Sequence, residues 1–201
     1  GGQTEAAQRD GVARIGRCGP PVERPCAGQG AAHVAREGLV PELIVDGAGA
    51  YPNALTADGK QVIFRSAVGS KGGNDLFIAS IDGDRSVKRL IATEFDEYNA
   101  EISPDGRWIA FQSNRSGHHD IYVRPFPDVD ADQWPVSPSG GVKPVWSPRG
   151  HELCYLALDG KMMSVAFSTA NGFAPGTPVV LFDASQYFAQ GAGRNFDISR
   201  D

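Results

Sequence analysis

"ISPDGRWIAFQSNRSGHHDIYV", residues 102–123, decides the fold. A short apolar strand enters a turn ending on Gly106, an alternating strand leaves it, and a second alternating run starts at Asp120 after a polar loop. Two other stretches repeat this layout. "NALTADGKQVIFRSA" (53–67) turns at Gly59 and "PVWSPRGHELCYLAL" (144–158) turns at Gly150, so the turn glycines lie 47 and 44 residues apart. Asp58 and Asp105 precede two of them, where a carboxylate can bond the turn backbone and Gly can take a positive φ. Arg149 holds that place in the third unit, whose turn is degenerate.

A third strand follows each time: "NDLFIASI" (74–81), "HDIYVRPF" (119–126) and "GKMMSVAF" (160–167), with Asp75 and Asp120 at the same register. A closing strand comes next, in "VKRLIAT" (87–93), "QWPVS" (133–137) and "PVVLFD" (178–183). Four short strands in about 45 residues are the mark of a propeller blade. "PELIVDG" (41–47) reads as the closing strand of a preceding blade, and "NFDISRD" (195–201) as the opening strand of a following one. The expectation is an all-β, incomplete β-propeller of three full four-stranded blades plus partial ones. Such an arc leaves strand edges open, so the chain is expected to form a homo-oligomer through its open blades or to be part of a larger protein.

Composition agrees. The chain has 201 residues, 41% of them hydrophobic, enough for one sizeable core. Gly 25 and Pro 14 make up about a fifth of it, which favours many turns over long helices. Nineteen basic against 24 acidic residues give a net charge of −5 and no basic stripe, which argues against nucleic acid as a partner. No apolar run reaches the length of a membrane span, and no signal peptide is visible. Residues 1–38, rich in Gly, Ala, Arg and Gln, read as a flexible or disordered arm, with the propeller over 39–201. Cys18, Cys26 and Cys154 are an odd number; a Cys18–Cys26 disulfide is compatible with the spacing, and Cys154 in "ELCYLAL" reads as a buried thiol.

The pattern in "SPDGRWIAFQSNRSGHHDIYV", and less fully in "TADGKQVIFRSAVGSKGGNDLFI", resembles the PD40 (WD40-like) repeats of TolB-type β-propellers. The continuation through "KPVWSPRGHELCYLALDGKMMSVAF" is similar to the C-terminal propeller domains of bacterial serine/threonine kinases. The resemblance covers about residues 41–201 and implies a propeller in a periplasmic or other extracytoplasmic setting. Kinase motifs are absent. Propellers carry unrelated activities, so the fold does not choose among them.

Candidate chemistry is sparse. His118, His119 and Asp120 lie between two strands where the preceding unit has "SAVGSKGGND", with no histidine, and adjacent residues on extended chain point to opposite faces; they read as a solvated turn. Asp128, Asp130 and Asp132 mimic the front of a calcium loop, but Gln133 and Ser139 occupy its Gly and Glu positions. No G-x-S-x-G elbow occurs. The remaining set is Asn53, Asp96, Asn99 and Glu101 at the start of first strands, which line a propeller channel; Asn53 and Asn99 read as repeat equivalents. Oxygen donors of this kind suit Ca²⁺. Two functions follow: a non-catalytic scaffold that holds a protein, peptide or small ligand and needs no cofactor, or a Ca²⁺-dependent hydrolase of the kind seen in propeller lactonases and esterases, with those four residues as ligands.

Overall fold

The structure, a computed structural model, describes residues 49–70, 72–187, 194 and 196–199, together with the backbone of three strands nearer the N-terminus. Those three, β1 (Ala13–Ile15), β2 (Ala32–Arg36) and β3 (Glu42–Val45), form one antiparallel sheet. Strands β1 and β2 fall inside the stretch read as an arm. Its other residues, Cys18 and Cys26 among them, lie outside the described residues.

Three blades follow. Blade I is β4 (Tyr51–Leu55), β5 (Gln61–Ser66), β6 (Asp75–Ser80) and β7 (Val87–Ile91). Blade II is β8 (Glu97–Ile102), β9 (Trp108–Ser113), β10 (Asp120–Pro125) and β11 (Trp134–Pro135). Blade III is β12 (Val142–Trp146), β13 (Glu152–Leu156) and β14 (Lys161–Ser168), with β15 (Ala174–Pro175) and β16 (Val179–Asp183) both paired to β14. Each sheet is antiparallel in chain order, as the repeat required. The two-residue β15 had no counterpart in the repeat.

The turns between first and second strands work as their residues dictate. Gly59, Gly106 and Gly150 take φ of 67°, 70° and 76°, and each N–H closes on a carbonyl three residues back at 2.8 Å. Asp58 and Asp105 each accept the amide two residues on, at 3.1 Å. Where Arg149 replaces the Asp, the same backbone bond survives.

What joins the blades is alternation. In β9, Ile109 and Phe111 face blade I while Trp108 and Ala110 face blade III. The seam between blades I and II holds Ile63, Leu76, Ile91, Ile109, Phe111 and Tyr122. That between II and III is aromatic: Trp108, Trp146 and Phe173, with Trp134 and Phe167 against them. Ala50, Val62, Phe64, Ala79 and Ile81 form a further layer on the outer side of blade I. On the outer side of blade III, Val145, Cys154, Leu156, Met162 and Ala184 are met by Phe196 and Ile198, from the stretch expected to open another blade. Cys154 is a buried free thiol, as its apolar neighbours implied.

Leu153, fully buried in the aromatic seam, is the sharpest test of this arrangement. Leu153→Ala should cost about 2–5 kcal/mol, read from urea unfolding followed by far-UV circular dichroism. Val87→Ala on the exposed outer strand of blade I should change stability by less than about 0.5 kcal/mol.

Candidate functional site

The inner strands β4, β8 and β12 begin on one face of the arc, the face that also carries the β5–β6 and β9–β10 loops. This loop face collects the polar side chains. Each inner strand has a bulge near its start, between Pro52 and Ala54, Tyr98 and Glu101, and Val142 and Val145. In two of them a residue other than glycine takes a positive φ, Asn99 at 48° and Lys143 at 57°. Asn tolerates that region; a long aliphatic side chain does so at a cost of order 1–3 kcal/mol that its surroundings must offset. Counted from the turn glycines, Asn99 lies level with Lys143 and Pro52, and Asn53 with Ala100 and Pro144. The expected equivalence of Asn53 and Asn99 is therefore corrected by one position. Pro52, with φ fixed near −65°, is unable to adopt the conformation that Asn99 and Lys143 share.

Gln112 ties two bulges together. Its buried Oε1 accepts from Asn99 Nδ2 at 2.8 Å and from the Lys143 amide at 3.1 Å, so the inner strands of blades II and III are fixed through one side chain. The matching position in blade I is Arg65, also buried. Its guanidinium lies 4.3 Å from the Tyr51 ring centre and 4.9 Å from that of Tyr98, held between two aromatic faces. Tyr51 remains 45% exposed, beside the starts of the inner strands.

Next to this stack, Asp96 organises the loops. Its Oδ1 accepts from the Asn74 amide at 2.7 Å, from Asn74 Nδ2 at 3.1 Å and from the Tyr98 hydroxyl at 3.1 Å, while its own amide donates to Asn114 Oδ1 at 3.0 Å. Burial would raise the Asp96 carboxyl, but the bonds from Asn74 and Tyr98 outweigh it and hold the pKa below the ordinary value. Gly73 leaves the room for this: a Cβ there would meet Asp96 Oδ1 at 2.2 Å.

The histidine pair divides. His118 turns outward, with Nδ1 3.4 Å from Asp120 Oδ2, while His119 sets its ring edge-on against Tyr98 at 5.8 Å. Asp120 is an internal tie, accepting from the Gly140 amide at 3.0 Å and from Ser116 Oγ at 2.6 Å. Asp75, its repeat equivalent, has instead an ionic contact with Arg89 at 3.6 Å, and neither of its carboxyl oxygens has a hydrogen-bond partner. Beside it, Glu97 Oε1 accepts from Thr93 at 2.6 Å, and Oε2 has no partner. Burial, with the charge of Asp75 adding to it, pushes the Glu97 carboxyl up to about 7.

The four expected metal ligands are spread over separate partners. Asp96 serves Asn74 and Tyr98, Asn99 serves Gln112, and Glu101 is hydrogen-bonded by Arg194, whose Nη1 also lies 3.4 Å from the Pro144 carbonyl. Burial pushes the Glu101 carboxyl up to about 7 against the pull of Arg194. Asn53 alone keeps a buried Oδ1 without a partner. Among the described residues no three His, Cys, Asp or Glu side chains gather as a metal cluster. Sequence reasoning missed Tyr51, Arg65, Tyr98 and Gln112. The available signal was a polar residue, Arg65 or Gln112, six positions after a turn glycine at the end of an otherwise apolar strand.

Sheets fanned in sequence order, with interleaved apolar seams, match known propellers. A TolB-type protein from Agrobacterium tumefaciens superposes with a TM-score of 0.62 at 23% identity, over 77% of this chain and 57% of that one. The chain has the fold of TolB-type β-propellers. TolB from Acinetobacter baumannii gives a TM-score of 0.57 at 18% identity, over 76% of this chain and 38% of that one. An auxiliary nutrient binding protein from Bacteroides thetaiotaomicron gives 0.56 at 14%, over 78% and 38%. The chain thus spans between about two fifths and three fifths of the length of these TolB-like structures. No family model and no curated protein sequence matches it. No helix among the described residues is long and apolar enough to cross a membrane.

Glu97 makes stability depend on pH. A carboxyl whose folded pKa exceeds its unfolded one keeps its proton longer in the folded state, so stability is highest below about 4.5 and is lost as pH rises to about 7. Glu97→Gln should remove a loss of roughly 3 kcal/mol. The expected readout is a melting temperature that varies less between pH 5 and 8 than in the parent, and a variant more stable than the parent at pH 8. Glu101 contributes in the same direction, so Glu97→Gln combined with Glu101→Gln should flatten the profile further.

Proposed function

We propose that the chain is a non-catalytic binding module that holds a peptide or protein segment on its loop face, over the starts of the inner strands. One observation carries this reading: the Tyr51–Arg65–Tyr98 stack, in which a buried guanidinium fixes two aromatic rings and leaves Tyr51 half in solvent. An aromatic side chain already immobilised loses little conformational entropy on contact, which is what makes such residues binding anchors. The surroundings are stiff as well, through the Asp96 bonds and the Gln112 bridge. Ser116 Oγ, 3.4 Å from His118 Nδ1, donates its proton to Asp120 Oδ2 at 2.6 Å, and the Asp96 and Asp120 carboxylates are occupied in positioning loops.

The test is selection of displayed peptides on the immobilised chain, followed by direct affinity measurement. Selected peptides should bind Tyr51→Ala at least tenfold more weakly, while its circular dichroism stays that of the parent. Failure to enrich any sequence, or peptides that bind parent and Tyr51→Ala alike, overturns the reading. Chelator-sensitive hydrolysis of lactones or esters, abolished by Asn99→Ala, would overturn it in favour of the metal-dependent hydrolase.

A further inference from the structure

Blades I and II carry the same aspartate at the head of their third strand, but its surroundings differ. Asp75 pairs with Ser66 as Asp120 pairs with Ser113, each at the end of a second strand. The corner that follows each blade also matches: the Glu97 amide donates to the Asn74 carbonyl as the Gly141 amide donates to that of His119, both at 2.8 Å. Glu97 therefore stands where the next corner has Gly141, Asp96 where it has Gly140, and Thr93 where it has Ser137. In blade II three donors serve the aspartate. The Gly140 amide reaches Asp120 Oδ1 at 3.0 Å, Ser137 Oγ reaches the same oxygen at 3.4 Å, and Ser116 Oγ reaches Oδ2 at 2.6 Å.

Around Asp75 the two corner donors are turned away. The Asp96 amide donates to Asn114 Oδ1 at 3.0 Å, and the Thr93 hydroxyl donates to Glu97 Oε1 at 2.6 Å. A second acid has entered as well. A Cβ at Gly141 would meet Ser137 Oγ at 2.6 Å, so the next corner has no room for a side chain there; here a whole carboxylate fits, near enough for the charge of Asp75 to act on it. Asp75 and Glu97 are each 1% exposed, and Asp75 Oδ1, Asp75 Oδ2 and Glu97 Oε2 have no hydrogen-bond partner. Two arginines approach the pair. Arg89 Nη1 lies 3.6 Å from Asp75 Oδ2 on a side chain half in solvent, and Arg124, whose charge is felt at Glu97, spends its hydrogen bonds on Gln133 and the Val129 carbonyl. Burial of charge is strongly unfavourable unless a hydrogen-bonded counter-charge or a metal ion meets it.

We propose that Asp75 and Glu97 together hold a Ca²⁺ ion that clips blade I to blade II. The two carboxylates bring the charge. The hydroxyls of Thr93 and Ser113, both bonded to Glu97 Oε1, and of Ser70, which acts on Asp75, bring further oxygens to a set of the hard donors that Ca²⁺ takes. Mg²⁺ parts with its waters reluctantly and suits so dry a place less well. The ligands come from the head of β6, from β8, from the end of β9 and from the corner between β7 and β8, so one ion joins separate pieces of chain across the seam. This inference is independent of what the loop face binds.

The test uses the whole chain, stripped with chelator and returned to buffer at pH 8. Calorimetric titration with calcium chloride should give one ion per chain. Millimolar Ca²⁺ should also raise the melting temperature followed by far-UV circular dichroism, because an ion that binds only the folded state stabilises it. Mg²⁺ or Na⁺ at equal ionic strength should do so less. Asp75→Asn and Glu97→Gln, which keep shape and remove charge, should each bind Ca²⁺ at least tenfold more weakly with an unchanged spectrum, while Asp130→Asn in the exposed acidic loop should bind as the parent does. Glu97→Gln, the more stable protein in chelator, should lose that lead when Ca²⁺ is present. A parent indifferent to Ca²⁺, binding that survives either substitution in the pair, or binding lost with Asp130→Asn overturns the proposal.

Discussion

Everything in this molecule rests on the stacking of apolar blade sides. No blade has a core of its own: the residues of β9 divide between two seams, and so do those of β5, β10 and β13. Burial of apolar surface at about 25 cal/mol per Å² is the dominant favourable term, and here almost all of it lies between blades. Stability therefore passes from neighbour to neighbour along the arc, as in other repeat architectures. Polar groups at the strand ends are affordable because the seams fix the strands first.

That constraint explains why the fold was legible in the residues. A period of two with both faces apolar, cut by turns at Gly59, Gly106 and Gly150, leaves little choice but flat sheets packed face to face. The degenerate third turn mattered little, since its backbone bond needs only Gly150. Blade III was harder at its rim, because β15 and β16 share β14, an arrangement that no spacing of residues announces.

The loop face was read less well, for a physical reason. Its key contacts are between residues far apart in sequence: Arg65 with Tyr98, Asn74 with Asp96, Gln112 with Lys143, Arg194 with Glu101. Asn53, Asp96, Asn99 and Glu101 all lie near the starts of inner strands, but residue type alone did not show that three of them were already partnered. The bulges shifted the register by one, and a shift of one in a strand changes the face a side chain occupies. The TolB-type fold is secure on this footing, whereas the function depends on side chains that differ from blade to blade.

The chain has three tryptophans, Trp108, Trp134 and Trp146, and all of them lie in or against the seam between blades II and III. Trp108 and Trp134 meet edge-on at 5.6 Å, and Phe173 touches all three. Nature has thereby placed the intrinsic ultraviolet emission of the protein at a single joint. Loosening of blade I alone would be dark to fluorescence, while parting of blades II and III would red-shift it, so the two opening modes carry different optical signatures without any label.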